Sequence, residues 1–369
     1  MSSAESSKNQ PLEPQLRRAK RPDGRFDIQS LDQTGLQALI QGLGKERFRA
    51  LQIYKWLWQR NVSSFEEMTN ISKSMRVELE NRASINPLEQ AQVQESEDGT
   101  TKFIWRCHDG QLIESVLIPD ENRANGLKPR LTLCVSTQVG CAMACSFCLT
   151  GDMGLIRNLS AGEIANQPRM VQQMLGDDRR ITNIVLMGMG EPLNNYENMV
   201  VALHNMLDED ALNYSHRRIT VSTVGLVPAM KRLAEETPVN IAVSLNASTE
   251  EQRQQVMPIT KKYSMTQLLE ACKALPLPKA KRITFEYVMM AGFNDSMDDA
   301  KRLVRLMNGI RSKVNLIPYN ENPQRDIRRP SDEQVKRFQN HLVKHGVQCS
   351  VRVSRGRDIS AACGQLGKI

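Results

Sequence analysis

The sequence predicts an α/β chain, a partial (β/α)6 barrel preceded by a small helical domain and joined to it by a β-hairpin. Three observations carry this. Residues 30–85 repeat apolar side chains at three- and four-residue spacing, the period of amphipathic helices. Residues 91–119 switch to short apolar or alternating runs around an Asp-Gly pair, the hairpin signal. From Leu131 onward, short β-branched runs alternate with amphipathic stretches, as βα units on a parallel sheet do.

In chain order, residues 1–27 are rich in Ser, Pro, Gln and charge and include the basic run RRAKRPDGR; a disordered, solvated tail is expected. Residues 28–88 hold the helices: LDQTGLQALIQGLG ends on Gly44, and FRALQIYKWLWQRN repeats the period. Lys45, Arg47, Arg49, Lys55 and Arg60 take polar positions there, a solvated face or a docking face for nucleic acid. TKFIWRC and QLIESVLIP flank His108-Asp109-Gly110 as the hairpin, within a linking region 89–130 that closes on the loop PDENRANGLKPR. Six strand-like runs follow across 131–350: LTLCVST, ITNIVLMGMGEP, RRITVSTVG, VNIAVSLNAS, RITFEYVMMAGFN and KVNLIPYN. A last strand-like run, QCSVRVSR, leads into a terminal segment, 351–369.

Bulk properties narrow the function classes. No run of 18 apolar residues occurs in the 369, so no membrane span is expected. The start, MSSAESSKNQPLEPQ, lacks the apolar core of a secretory signal, which predicts a cytoplasmic, reducing setting. There, clustered thiols point to metal binding or catalysis rather than to a disulfide framework. A net charge of +8 and a pI near 9.1 suit a polyanionic partner, above all nucleic acid. Aromatic residues at 5% argue against a surface built mainly of base-stacking platforms.

Chemistry in barrels of this kind sits in the loops after the strands. Directly after the first barrel strand stand Cys141, Cys145 and Cys148, spaced C-x-x-x-C-x-x-C. Structural zinc wants four ligands, whereas three thiolates can hold three irons of a [4Fe–4S] cluster and leave the fourth open. The second strand ends in GMGEP, where Gly190 lets a ligand approach the backbone and Glu191 can accept from an ammonium; alone, this could equally be a plain turn. Ser222, Ser244-Leu245-Asn246 and Asn320 close later runs, as strand caps or as ligand contacts on one rim. Cys363 lies between Ala and Gly in DISAACGQL, and Cys134 precedes the triplet. Cys107, Cys272 and Cys349 read as buried structural thiols. Glu114 is an acid in an otherwise apolar strand, for which an outward-facing position is the plain expectation.

The triplet followed by GEP resembles the radical S-adenosylmethionine (SAM) superfamily. Together with GLIRNLSAGEI, RRITVSTVGLVPAM, MPITKKY, NLIPYN and RGRDISAACGQL, it resembles the RlmN/Cfr family of radical SAM enzymes that methylate adenosine in RNA. FRALQIYKWLWQRNVSSFEEMTNISKSMR is similar to the helical accessory domain of the RlmN branch. The likeness covers about residues 30–366.

The resemblance implies that Cys141, Cys145 and Cys148 hold one [4Fe–4S] cluster. It implies that Gly190, Glu191, Ser222, Ser244, Leu245, Asn246 and Asn320 bind SAM, two molecules of which are used per turnover. Cys363 would carry the methyl group, Cys134 would be the second reactive thiol and Glu114 the proton acceptor. The implied product is adenosine methylated at C2, in large-subunit ribosomal RNA near the peptidyl transferase centre and also in the tRNA anticodon loop. C8 methylation of the Cfr type, an antibiotic-resistance activity, is the nearest alternative, and another radical SAM reaction the next. An electron donor such as flavodoxin or ferredoxin, a disulfide reductant and a monomeric chain are expected. Departures are few: Asn246 stands where many members carry His, and Arg357 and Ser360 replace two acids. Lys261, Lys262, Arg325, Arg328 and Arg329 are candidate phosphate contacts.

Overall fold

The computed structural model describes residues 14–85, 88–120 and 130–367. The first thirteen residues of the expected tail and loop residues 121–129 lie outside the described residues. The described residues form two compact units. One gathers the described residues up to 88 with 160–174 and 197–214; the other holds 89–159, 175–196 and 215 onward.

The first unit is helical. Asp32 caps the helix Gln33–Gly42 by accepting from the Gly35 N–H at 2.9 Å, which satisfies one of its orphan donors. That helix and Phe48–Trp58 bury Leu36, Ile40, Ile53 and Leu57. Buried Tyr54 donates its hydroxyl to Asn205 Oδ1 at 2.8 Å. Residues 14–27 differ from the expected tail. Pro14–Ala19 is a short helix, and Phe26–Asp27 pairs in parallel with Ala83–Ser84. Leu16 and Ala19, three residues apart, share a buried face, a signal that the polar average of the segment hides.

The second unit is built on a ten-stranded sheet. Its strands are β1 (Glu89–Glu95), β2 (Thr101–Arg106), β3 (Leu112–Asp120), β4 (Arg130–Cys134), β5 (Asn183–Leu186), β6 (Ile219–Thr223), β7 (Asn240–Ser244), β8 (Ile283–Met289), β9 (Ser312–Pro318) and β10 (Cys349–Val351). Each pairs with the next in chain order. Pairing is antiparallel from β1 to β4 and parallel from β4 to β10.

Strands β4 to β9 are the six expected runs, and β10 is the seventh. The expected hairpin is β2–β3, turning at Asp109-Gly110 as read, but Asp98-Gly99 turns a further strand, β1, onto its edge. Its sequence, EQAQVQE, is largely exposed, so it carries none of the apolar alternation that reveals a half-buried strand.

Helices Val227–Glu236, Met265–Ala274, Met297–Met307 and Asp332–Lys344 bury Leu233, Leu268, Leu303 and Phe338. Ser264, Ser296 and Ser331 cap three of them at their first turns. The parallel strands therefore end together on one rim, where the polar residues of the sequence runs collect. Among the described residues, no helix is long and apolar enough to cross a membrane.

Candidate active site

The cysteine loop leaves β4 and is held by a short antiparallel ladder between Gln138–Gly140 and Leu155–Asn158. The Cys141 N–H donates to Gly154 O at 2.8 Å, and the Cys148 N–H to Cys145 O at 3.0 Å. Gly140 must be glycine: its φ is +74°, and a Cβ there would sit 1.9 Å from Gly154 O. Cys141, Cys145 and Cys148 line one pocket. Burial pushes the Cys141 thiol up to about 11 and raises those of Cys145 and Cys148 as well.

Thiols bind metal only as thiolates, so a loop that buries three of them suits a cationic centre that stabilises the anions. Among the described residues, no three His, Cys, Asp or Glu side chains could hold a single metal ion. A cluster that takes one thiolate on each of three irons needs a shared pocket instead, and the three cysteines fit that demand.

Across the pocket, the Gly188–Glu191 turn follows β5. Glu191 is buried and accepts from the N–H groups of Leu193 at 3.1 Å and Val224 at 2.9 Å. Burial raises its carboxyl to about 7 despite those donors. Gly190 has φ +98°, and a Cβ there would lie 2.5 Å from Gln138 Cβ and 2.9 Å from Gln138 N. Gly190→Ala is therefore expected to push the turn out of the pocket and to weaken binding of SAM, the ligand the resemblance implies for it, at least about tenfold, as one misplaced contact can. Equilibrium dialysis with labelled SAM checks this.

Ser222, Ser244, Asn246 and Asn320 line the same pocket. Leu245 does not; its side chain is fully buried, and its N–H donates to Glu286 O. Asn246 adopts φ +56°, a region Asn tolerates better than most residues. Its Oδ1 accepts from the Val288 N–H at 2.9 Å. Asn320 Nδ2 donates to Cys363 O at 3.0 Å, and its Oδ1 has no hydrogen-bond partner.

Cys363 lines this pocket and also an adjoining cavity, which the buried Cys134 lines as well. Burial, then the neighbouring Cys363, pushes the Cys134 thiol up to about 12. Arg352, at the end of β10, lines both cavities. The sequence reading missed it, although an Arg interrupting the β-branched run QCSVRVSR was a visible signal. The terminal segment is stitched to the cysteine loop: the Leu149 N–H donates to Gly364 O at 2.9 Å and Thr150 Oγ1 to Leu366 O at 2.7 Å.

Glu114 does not face outward as its strand pattern suggests. It is wholly buried, with Lys102 Nζ 3.1 Å from Oε1 and the Gly367 N–H donating to Oε2 at 2.6 Å. Lys102 stands on β2 and supplies the countercharge that lets an acid occupy the interior. Glu114 lines neither cavity, but Ser136, whose Oγ donates to its backbone carbonyl at 2.5 Å, belongs to the segment leading into the cysteine loop. Cys107 and Cys272 are buried and line neither cavity, while Cys349 is half-buried.

Two family models match. Residues 26–85 match the ribosomal RNA large subunit methyltransferase N-terminal domain, and residues 135–306 the radical SAM superfamily. The chain is 51% identical over 346 residues to the dual-specificity RNA methyltransferase RlmN of Anaeromyxobacter dehalogenans, covering 92% of this chain and 91% of the relative. It is 51% identical over 348 residues to the RlmN of Geobacter sulfurreducens, covering 94% of each. A crystal structure of a radical SAM methyltransferase from Sphaerobacter thermophilus superposes with a TM-score of 0.85 at 42% identity, covering 92% of this chain and 98% of that one.

Proposed function

Because the chain belongs to the RlmN family of radical SAM RNA methyltransferases, we propose that it methylates C2 of adenosine in large-subunit ribosomal RNA and in the anticodon loop of tRNA. It is a SAM-dependent RNA methyltransferase, and its cofactors are a [4Fe–4S] cluster and SAM. The observation that carries the reading is the placement of Cys363. It lines the pocket of the three clustered cysteines and also the cavity of Cys134.

Adenine C2 is an electron-poor carbon with no useful nucleophilicity, so it cannot take a methyl from SAM by direct attack. Cys363 takes it instead, as thiolate, by displacement. Asn320 holds the Cys363 carbonyl and so fixes that backbone at the rim. Cys141, Cys145 and Cys148 hold the cluster; Gly190, Glu191, Ser222, Ser244, Leu245 through its backbone, Asn246 and Asn320 hold SAM. When bound, the cluster supplies the single electron that opens SAM reductively.

The methyl on Cys363 would give up one hydrogen atom to the adenosyl fragment of the opened SAM, and its carbon would bond to C2; loss of the C2 proton and of one electron, which the cluster can take back, would restore the ring. The Cys134 thiolate would then attack the Cys363 sulfur, and the carbon released would take up a proton, leaving a disulfide and the methylated base. Glu114, buried against Lys102, is the proposed acceptor of the C2 proton. A cytoplasmic reductant reopens the disulfide, and an electron donor such as flavodoxin or ferredoxin recharges the cluster. Residues 28–88 serve as the RNA-binding accessory region, and 351–369 as the segment that carries the methyl. The target base must leave its stack at a cost of roughly a few kcal/mol, which phosphate contacts from the basic surface offset.

The test is anaerobic reconstitution followed by turnover on RNA carrying deuterium at adenine C2. Loss of the deuterium in the methylated nucleoside is expected; its retention would favour C8 chemistry and sink the C2 assignment.

A further inference from the structure

The loop after β9 carries Arg325, which its sequence neighbourhood suggests as a phosphate contact. Its side chain turns inward instead. Nη1 donates to Ser146 O, while Nη2 donates to Cys148 O at 3.1 Å and lies 2.6 Å from Asp152 Oδ2. Both carbonyls belong to the turn that carries Cys145 and Cys148, and Asp152 lies in the short helix that follows. The Arg325 side chain is 16% exposed and that of Asp152 is 60% exposed. The guanidinium is therefore largely withdrawn from solvent, against a carboxylate that is not.

We propose that Arg325 is a positioning residue for the iron–sulfur cluster. It locks the turn between Cys145 and Cys148 in its ligating shape and sets its charge, paired with Asp152, against that turn. The inference rests on the cluster reading given above. Two carbonyls and a carboxylate met by one side chain call for the planar, multi-donor fork of arginine, which a lysine ammonium cannot reproduce. Groups that orient metal ligands in this way are commonly worth 10–100-fold in metal retention. Removing the positive member of this pair leaves the Asp152 carboxylate against the turn, which disfavours the reduced, more negative state of a cluster and so lowers its potential.

The experiment compares anaerobically reconstituted wild type, Arg325→Gln and Arg325→Lys by iron release to a chelator and by redox titration followed by electron paramagnetic resonance. Arg325→Gln is expected to release iron about 10–100-fold faster and to titrate at a more negative potential. Arg325→Lys keeps the charge, so its potential should stay near that of wild type while its iron release rises. Unchanged release and potential in both variants overturn the proposal while leaving the cluster in place. A wild-type chain that assembles no four-iron cluster overturns the functional reading, and this inference with it.

Discussion

Cys363→Ala is expected to lose methylated adenosine by more than about a thousandfold, as removal of a nucleophile does, with the iron–sulfur spectrum preserved. The structure separates these outcomes. Cys363 lines the pocket but stands outside the triplet whose burial suits metal. Its backbone contacts, through Asn320 and Gly364, use carbonyl oxygens that alanine also provides. Mass spectrometry of the isolated protein gives a second readout: wild type is expected to carry a methyl on Cys363 and the variant none. Near-normal methylation by Cys363→Ala, read by nucleoside analysis, would falsify the two-thiol mechanism and favour another radical SAM reaction.

Cys134→Ala should behave differently and as drastically. The methyl still loads on Cys363 and the base still becomes joined to it, but no thiol remains to attack the Cys363 sulfur. Turnover is expected to fall below detection, while a covalent protein–RNA species accumulates toward one per chain. A denaturing gel with labelled RNA shows it as a band that nuclease shortens. The cavity shared by Cys134 and Cys363 is the reason to expect this, since exchange between sulfurs requires direct approach. Product release at the wild-type rate would mean that another group performs this step.

Much of this was legible in the sequence, for identifiable reasons. The triplet and GMGEP sit at strand ends, so a count of apolar runs placed them on one rim, and β4 to β9 obeyed the count. Cys363 was harder: its small-residue segment could reach the rim, but only the resemblance gave that thiol a role. Pattern misjudged Glu114: alternation assigns a face, but a buried acid is decided by its partner, and Lys102 is contributed by a different strand. Arg325 misled for the same reason. Charge in a loop suggests solvent, and only the fold shows two carbonyls waiting for a guanidinium. Strand β1 escaped because an edge strand needs no apolar face.

The stitches between residues 364–367 and the cysteine loop carry one more consequence. A tail bonded to that turn shares its order, so a substitution that loosens the cysteine loop is expected to loosen residues 364–366 with it, read as faster hydrogen exchange at the Leu149 amide.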